Sequence, residues 1–394
     1  MAPLVPSDAD RLERVIWDAF LTAQTLDWRS YDPFDLLLSP VLSPLQGFSR
    51  GLARVAVQVG KRSGERLRTA LRVEVHQEPK ALADCLRAAV LLAVDRGSPA
   101  QDLAEPLTKR LLAAGELATG GYGWGLGFPY TSRFVNARTG TPNAYTTIAA
   151  IDALLDASVL IDEEALLQAV SRGCRFLVDE LGVLEHNGRR WLRYWPGSDA
   201  RVINIQASAA ALFSRAGGRL NDDRLSRCGE EAFETTARSQ RADGSWPYSD
   251  EGRASFVDGF HTGFVLQGLA DYAAQHPPVR PEQTAAVSRG FRYFKDRLMA
   301  SSDLPRGVAD GEISLDPQNV AQCVQTLVIC AEDDSDVGRA VRVWDGATAC
   351  GKCPLDSSAG LLSLRWSLGP GVLAAAHLLR RIRMLAIVPA ARRP

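Results

Sequence analysis

The chain lacks the marks of a membrane-spanning, nucleic-acid-binding or secreted protein. No apolar run approaches the ~20 residues needed to cross a bilayer, and a stretch such as 88–94 falls far short. Neither charge is in excess: 45 Lys and Arg stand against 46 Asp and Glu, a net charge of -1. Such a balance offers no basic field to nucleic acid or to an anionic membrane. The opening, residues 1–8, has neither the basic nor the apolar region of a secretory signal. Cysteines number seven, an odd count without framework spacing, which points to reduced thiols in a cytoplasm. Cys174 and Cys323 fall in apolar helical settings and read as small core residues.

What is present is a chain of 394 residues, 46% hydrophobic and 23% charged, ordinary for a soluble globular enzyme. Length alone allows two domains, but closed toroids reach this size as one. Self-similarity is the better guide. Segments 143–157, 204–216, 261–272 and 319–330 open on Asn143, Asn204, His261 and Asn319, then run through small and apolar residues at helical spacing. Their first positions lie 61, 57 and 58 residues apart. A second series alternates with them. Ser171-Arg172-Gly173-Cys174-Arg175-Phe176-Leu177 is echoed by Ser288-Arg289-Gly290-Phe291-Arg292-Tyr293-Phe294, with a weaker copy at 227–233. Units of this kind bury their apolar faces only by stacking on their neighbours.

Gly and Pro punctuation divides the chain into helix pairs. A first helix is predicted over 8–25, with Ser7 as N-cap and Leu12, Val15, Ile16 and Phe20 on one face. Residues 52–59 and 65–75 read as helix or strand, and 81–95 as a strong apolar helix. Outer helices are predicted over 102–115, 163–181, 223–240, 282–299 and 335–346. Inner helices follow over 144–157, 204–216, 261–273, 318–331 and 370–383. Six such pairs close into an all-α (α/α)6 toroid, which leaves no exposed end to cap. The expectation is one toroid domain over 1–394, with an irregular or helical insertion over 26–80.

In such a ring the outer-to-inner connections share one end, and there the chain places its unusual residues. They carry Trp124, Tyr130 and Arg133; Tyr194, Trp195 and Arg201; Trp246, Tyr248 and Asp258; Asp310, Glu312 and Asp316; and Arg365 with Trp366. The opposite connections, such as 162–164 and 221–223, are short, acidic and explained as helix N-caps. One mouth is aromatic and polar, the composition of a ligand site. Candidate substrate-binding residues are Trp124, Tyr130, Arg133, Asn143, Tyr145, Trp195, Asn204, Trp246, Tyr248, Asn319, Arg365 and Trp366. Gln240 and Trp246 also fit the Q-x-x-x-G-x-W pattern that clasps helices together in α-toroids of the terpenoid-cyclase type, and that architectural reading of them is the stronger.

His261 opens an inner helix at this mouth, with Asp258 three residues earlier to orient the imidazole; a neutral ring near pH 7 suits proton transfer. The bland alternative is a capping or buried polar histidine. His76, His186, His276 and His377 read as surface or packing residues. Among carboxylates, Asp32 and Asp35 lie in an early loop that can reach the mouth, and Asp258, Asp310, Glu312 and Asp316 come from later connections. Two carboxyl groups about 5–10 Å apart permit acid–base work on a glycosidic bond. The candidate catalytic set is His261, Asp258, Asp32 and Asp316.

Weaker motifs are discounted. Cys350-Gly351-Lys352-Cys353 has no second pair and no histidine at zinc spacing. The glycine run 120–127 follows no strand, against a dinucleotide site. The acidic stretch 332–336 reads as a helix cap rather than a metal box for diphosphate. No cofactor or metal is implied.

The chain resembles an uncharacterised bacterial family found near polysaccharide or natural-product biosynthesis genes and labelled as prenyltransferase- or squalene-cyclase-like toroids. The resemblance runs through Tyr31-Asp32-Pro33-Phe34-Asp35, Lys61-Arg62-Ser63, Phe128-Pro129-Tyr130-Thr131-Ser132-Arg133 and Gly140-Thr141-Pro142-Asn143. It continues through Asp243-Gly244-Ser245-Trp246-Pro247-Tyr248, the block 256–264 and Arg365-Trp366. Asp258-Gly259-Phe260-His261-Thr262-Gly263-Phe264 is its most specific part, with Gly259 where that family has asparagine. The resemblance implies an α/α toroid and leaves activity open.

Three functions are therefore expected, in this order. First comes a biosynthetic enzyme doing acid–base chemistry on a sugar or glycoconjugate, as lyase, epimerase or hydrolase. Second is a terpenoid-cyclase- or prenyltransferase-like enzyme on an isoprenoid, against which stand the absent Asp-x-Asp-Asp donor and zinc set. Third is a non-catalytic glycan- or carrier-binding scaffold. The expected partner is a small-molecule, glycan or isoprenoid substrate, with no nucleic acid and no membrane span.

Overall fold

Two kinds of apolar pattern sort the helices into two concentric layers. In the segment Glu164–Arg175 the buried residues are Leu166, Ala169, Val170, Gly173 and Cys174, one stripe at helical spacing, so the other face meets solvent. In Pro317–Ile329 every residue from Pro317 to Val328 is buried, and such a helix must be surrounded by others. The computed structural model describes residues 6–96, 100–117, 121–161, 164–276, 280–352, 355 and 361–387. Residues 1–5, Gly120, the acidic pair Asp162 and Glu163, and Cys353 lie outside the described residues.

Outer α1 (Pro6–Thr25) comes first, and Ser7, expected to precede the helix, falls within its range. Its connection carries β1 (Arg29–Ser30), α2 (Leu45–Phe48), α3 (Arg50–Lys61), α4 (Glu65–Ala70) and β2 (His76–Gln77). The two segments open to helix or strand are thus helical at α3 and α4. Extended chain is left to β2, which pairs antiparallel with β1 and pins the root of the insertion. Inner α5 (Pro79–Arg96) follows, then outer α6 (Ala100–Gly115) and inner α7 (Ala144–Ala157). Outer α8 (Glu164–Arg175), extended by a π-helical turn Phe176–Leu181, leads to inner α9 (Ile203–Leu220). Outer α10 (Asp223–Arg238) pairs with inner α11 (Gly259–Ala274), and α12 (Pro281–Arg297) with α13 (Pro317–Ile329). Outer α14 (Asp334–Ala349) and inner α15 (Gly369–Ile387) end the series. Each inner helix touches the next, and α15 returns to α5. The fold is an all-α, six-hairpin toroid, as the repeat predicts.

Two tryptophans tie the outer layer together. Trp246 donates Nε1–H to the Thr236 carbonyl of α10 at 3.0 Å, and its ring fills the place of a side chain at Gly290 of α12, where a Cβ would lie 2.2 Å away. Trp124 does the same two hairpins earlier: Nε1–H bonds the Leu111 carbonyl of α6 at 2.7 Å, and the ring packs over Gly115 and Gly173. The recurring Ser-Arg-Gly of the sequence is therefore the seat of a clasp. Gln240 completes one of them by donating to the carbonyls of Gly244 and Ala286.

Ion pairs lock the inner ring near its other end. Arg87 of α5 bonds Asp156 of α7 at 2.7 Å, and Arg215 of α9 bonds Asp152 of α7 at 2.9 Å. Charged residues thus line the ring's axis at that end.

Candidate active site

The first turns of the inner helices and the connections before them enclose a cavity of about 520 Å³ at the open end. Of its 22 lining residues, 12 are Phe, Tyr or Trp, so its walls are flat and largely apolar. No Asp or Glu is among them. Beneath it, past Tyr145, Phe264 and Gln318, a narrow extension of about 70 Å³ runs down the axis to Asp152, Arg87 and Asp271.

His261 sits on the first turn of α11, whose N-cap is Asp258. One carboxylate does two things there. Its Oδ1 accepts the His261 backbone N–H at 2.9 Å, and its Oδ2 lies 2.6 Å from His261 Nδ1. A carboxylate only accepts, so Nδ1 carries the hydrogen and Nε2 is the nitrogen with a free lone pair. The ring is held between Tyr248, at 4.6 Å between centroids, and Phe260, at 4.1 Å. His261 lines the cavity, whereas Asp258 stands behind it.

Three buried amides share this wall: Asn143, Asn204 and Gln318. Asn143 caps α7 through its Oδ1, accepting from Thr146 N–H at 3.0 Å. Its Nδ2, the Asn204 Oδ1 and the Gln318 Nε2 have no partner in the protein. A buried polar atom left so costs ~1–3 kcal/mol. The three side chains bring amide groups to an otherwise aromatic lining.

Arg365 supplies a fixed positive charge. Its Nε and Nη2 donate to Asp32 Oδ2 and Oδ1 at 2.7 and 2.8 Å, and its guanidinium lies 5.3 to 5.6 Å from the ring centroids of Trp366, Phe128 and Phe34. Burial works against that charge, but the Asp32 carboxylate outweighs it and holds Arg365 above its ordinary value. Tyr194, Tyr248 and Tyr130 also line the cavity, and burial pushes each phenol up. They stay protonated as donors at neutral pH.

Of the residues expected at the site, the cavity wall holds Tyr130, Arg133, Asn143, Tyr145, Trp195, Asn204, Tyr248, His261, Arg365 and Trp366. The others stand elsewhere. Trp124 and Trp246 are fully buried clasps whose rings fill glycine seats, so they do not face the cavity. Asp32 is wholly buried, both oxygens taken by Arg365, and makes no contact with the cavity. Asp316 caps α13 through Gln318 N–H and accepts from Trp366 Nε1 at 3.2 Å, which positions that indole. Asn319 turns away to donate to the carbonyls of Arg306 and Ser314. Gly259 faces it, and a Cβ there would lie 2.4 Å from Asn319 Oδ1. Arg201 pairs with Asp250 and Asp310 with Arg297, away from the cavity lining. The repeat's first positions missed Gln318, which takes the wall position expected of Asn319. The signal was Asp316-Pro317: with aspartate as N-cap and proline at the first helical position, Gln318 is the second residue of its helix, as Asn204 is of α9. Phe34, Lys61, Phe128 and Phe264 also went unread as wall residues.

His76 is not a surface residue. Its Nε2 lies 3.1 Å from Glu78 Oε1; burial opposes its charge, but Glu78 outweighs that and holds the imidazole above its usual value. His377 is half-buried, and loss of solvation pushes it down to about 3, so it stays neutral.

No family model and no curated protein sequence matches the chain. Solved structures do match it in fold. A cellobiose 2-epimerase from Bacillus thermoamylovorans superposes with a TM-score of 0.63 at 10% identity, over 79% of this chain and 90% of that one. A sugar epimerase from a ruminal bacterium gives 0.60 at 10%, over 78% and 90%. A GH76 α-mannanase from Bacteroides thetaiotaomicron gives 0.59 at 9%, over 80% and 88%. What these likenesses share with this chain is the α/α toroid.

Proposed function

We propose that the protein is a sugar-acting enzyme that moves a proton on and off carbon, as an epimerase or a lyase, with His261 as the base. The observation that carries the reading is one wall combining the His261–Asp258 pair with three unpartnered buried amides and no carboxylate. Amides, phenols and Arg365 in the lining offer hydrogen bonds that a sugar's hydroxyl groups use and a hydrocarbon does not. Hydrolysis by paired acids needs two carboxyl groups at the substrate, and this lining has none. Aromatic walls suit the apolar faces of pyranose rings. The fold neighbours named as sugar epimerases and an α-mannanase favour a sugar over other polar ligands.

In this mechanism the substrate carbon lies next to a carbonyl or carboxylate. His261 Nε2 takes its proton, the C–H pair moves into the enolate, and Asp258 stabilises the resulting imidazolium through Nδ1. Arg365 balances the developing oxyanion, and a tyrosine phenol such as Tyr194 donates to it. Return of a proton to the opposite face from a wall phenol, which recovers one from the imidazolium through solvent, gives the epimer; loss of a β-substituent, which leaves with the imidazolium's proton, instead gives an unsaturated sugar and the released group.

The aromatic enclosure also favours a second reading, an isoprenoid substrate with cationic intermediates shielded by π faces. Incubation with neutral and uronate-containing disaccharides, and separately with polyprenyl diphosphates, distinguishes the two. Epimer or unsaturated sugar supports the proposal, and Asn204→Leu should then raise KM about tenfold or more through one lost hydrogen bond to substrate. A cyclised or transferred prenyl product sinks it.

A further inference from the structure

The global charge balance hides one strongly basic region. Segment 41–72 carries seven basic residues against the single acid Glu65, in a chain whose net charge is -1. One of the seven, Arg68, is buried on Asp35 at 2.8 Å; Arg50, Arg54, Lys61, Arg62, Arg66 and Arg72 are exposed. The apolar residues of α3 are not all inside. Ala53, Ala56 and Val57 face the protein, while Leu52, Val55 and Val59 form a strip on the outside. Phe48, just before the helix, is 83% exposed. A groove between α3 and β3 (Tyr130–Thr131) joins this face to the cavity, because Tyr130, Ser132 and Arg133 line both.

Arg62 flanks this strip and Arg50, Arg54 and Lys61 share another face of the same helix; an exposed apolar strip with a basic polar face, at the rim of a cavity, is the composition of a helix that lies in a lipid headgroup layer. We propose that α3 and Phe48 dock the protein on an anionic bilayer surface, with the cavity mouth facing the lipid. Charge selects the occupant: a neutral protein partner would satisfy the strip and leave Arg54 and Arg62, which line the same groove as Val55 and Val59, without counter-charge, whereas anionic headgroups satisfy both. This surface binding requires no spanning segment, and among the described residues no helix is long and apolar enough to cross a membrane.

The test is co-sedimentation of the full chain with vesicles of phosphatidylcholine alone or mixed with phosphatidylglycerol. Binding is expected only to the anionic vesicles, weakening as salt rises. Arg54→Ser with Arg62→Ser should lower the partition coefficient about tenfold or more, and Phe48→Ser with Val55→Ser should do likewise. None of these four residues lines the cavity, so all variants should keep their far-ultraviolet dichroism and sugar turnover. Protein that stays in the supernatant with anionic vesicles at low salt overturns the proposal. So does binding that neither double variant reduces. A dimer that Phe48→Ser dissociates, without vesicle binding, would assign the face to a second copy of the chain instead.

Discussion

Asp32 and Arg365, 333 residues apart, meet in a buried two-point ion pair behind the cavity wall. The pair joins the insertion after the first helix to the last connection of the ring, so the site is completed only when the toroid has closed. Asp32→Asn leaves a buried guanidinium without its counter-charge, which should cost ~3–5 kcal/mol in urea unfolding. Arg365→Lys keeps the charge, loses the planar fork and should also destabilise. A change below about 0.5 kcal/mol for either would mean the pair is not formed.

The clasp predicts non-additive energetics. Gly290→Ala sets a methyl group 2.2 Å from the Trp246 ring and should cost ~1–3 kcal/mol or more by overpacking. Trp246→Ala alone should cost ~3–5 kcal/mol. Because the first variant's clash vanishes in the second, the double variant should be less destabilised than the two effects added. Strict additivity in chemical unfolding would place the ring elsewhere.

Much of the architecture was legible because helical period, glycine seats and caps are local signals. The Gln240–Trp246 pattern announced its own clasp. The site was harder to read, because the connections use tryptophan for two purposes. Trp195 and Trp366 face the cavity, Trp124 and Trp246 fill helix seats, and only the glycine opposite each of the latter two tells them apart. Carboxylates were more opaque still. Asp32 looks like Asp258 in sequence, but its partner lies at the far end of the chain, and no spacing rule reaches that distance.

Asp271 lies at the foot of the axial extension, and burial raises its carboxyl to about 6 against the pull of Arg87 and Arg215. A carboxyl whose folded value is raised stabilises fully below its unfolded value, about 3.9, and that contribution is lost as pH rises through 6. Asp271→Asn should therefore match wild type near pH 4 and exceed it above pH 6, by on the order of 2 kcal/mol. Thermal or urea unfolding at several pH values checks this. An increment that is flat with pH, or that shrinks as pH rises, would contradict the assigned cause.

Asp258→Asn separates positioning from folding. Asparagine caps a helix as well as aspartate does, so stability should change by less than about 0.5 kcal/mol. The carboxylate on His261 Nδ1 is lost, and turnover should fall by about 10²–10⁴-fold with KM little moved. Equal loss of stability and activity would reduce Asp258 to a cap.

Proton exchange in heavy water tests the central claim most directly. Sugar substrate recovered from the wild-type protein in D2O should carry deuterium at the carbon beside its carbonyl or carboxylate, and His261→Ala, folded to the same dichroism, should leave that carbon unlabelled. Epimer that forms without deuterium at that carbon, or labelling that persists in His261→Ala, would contradict the account.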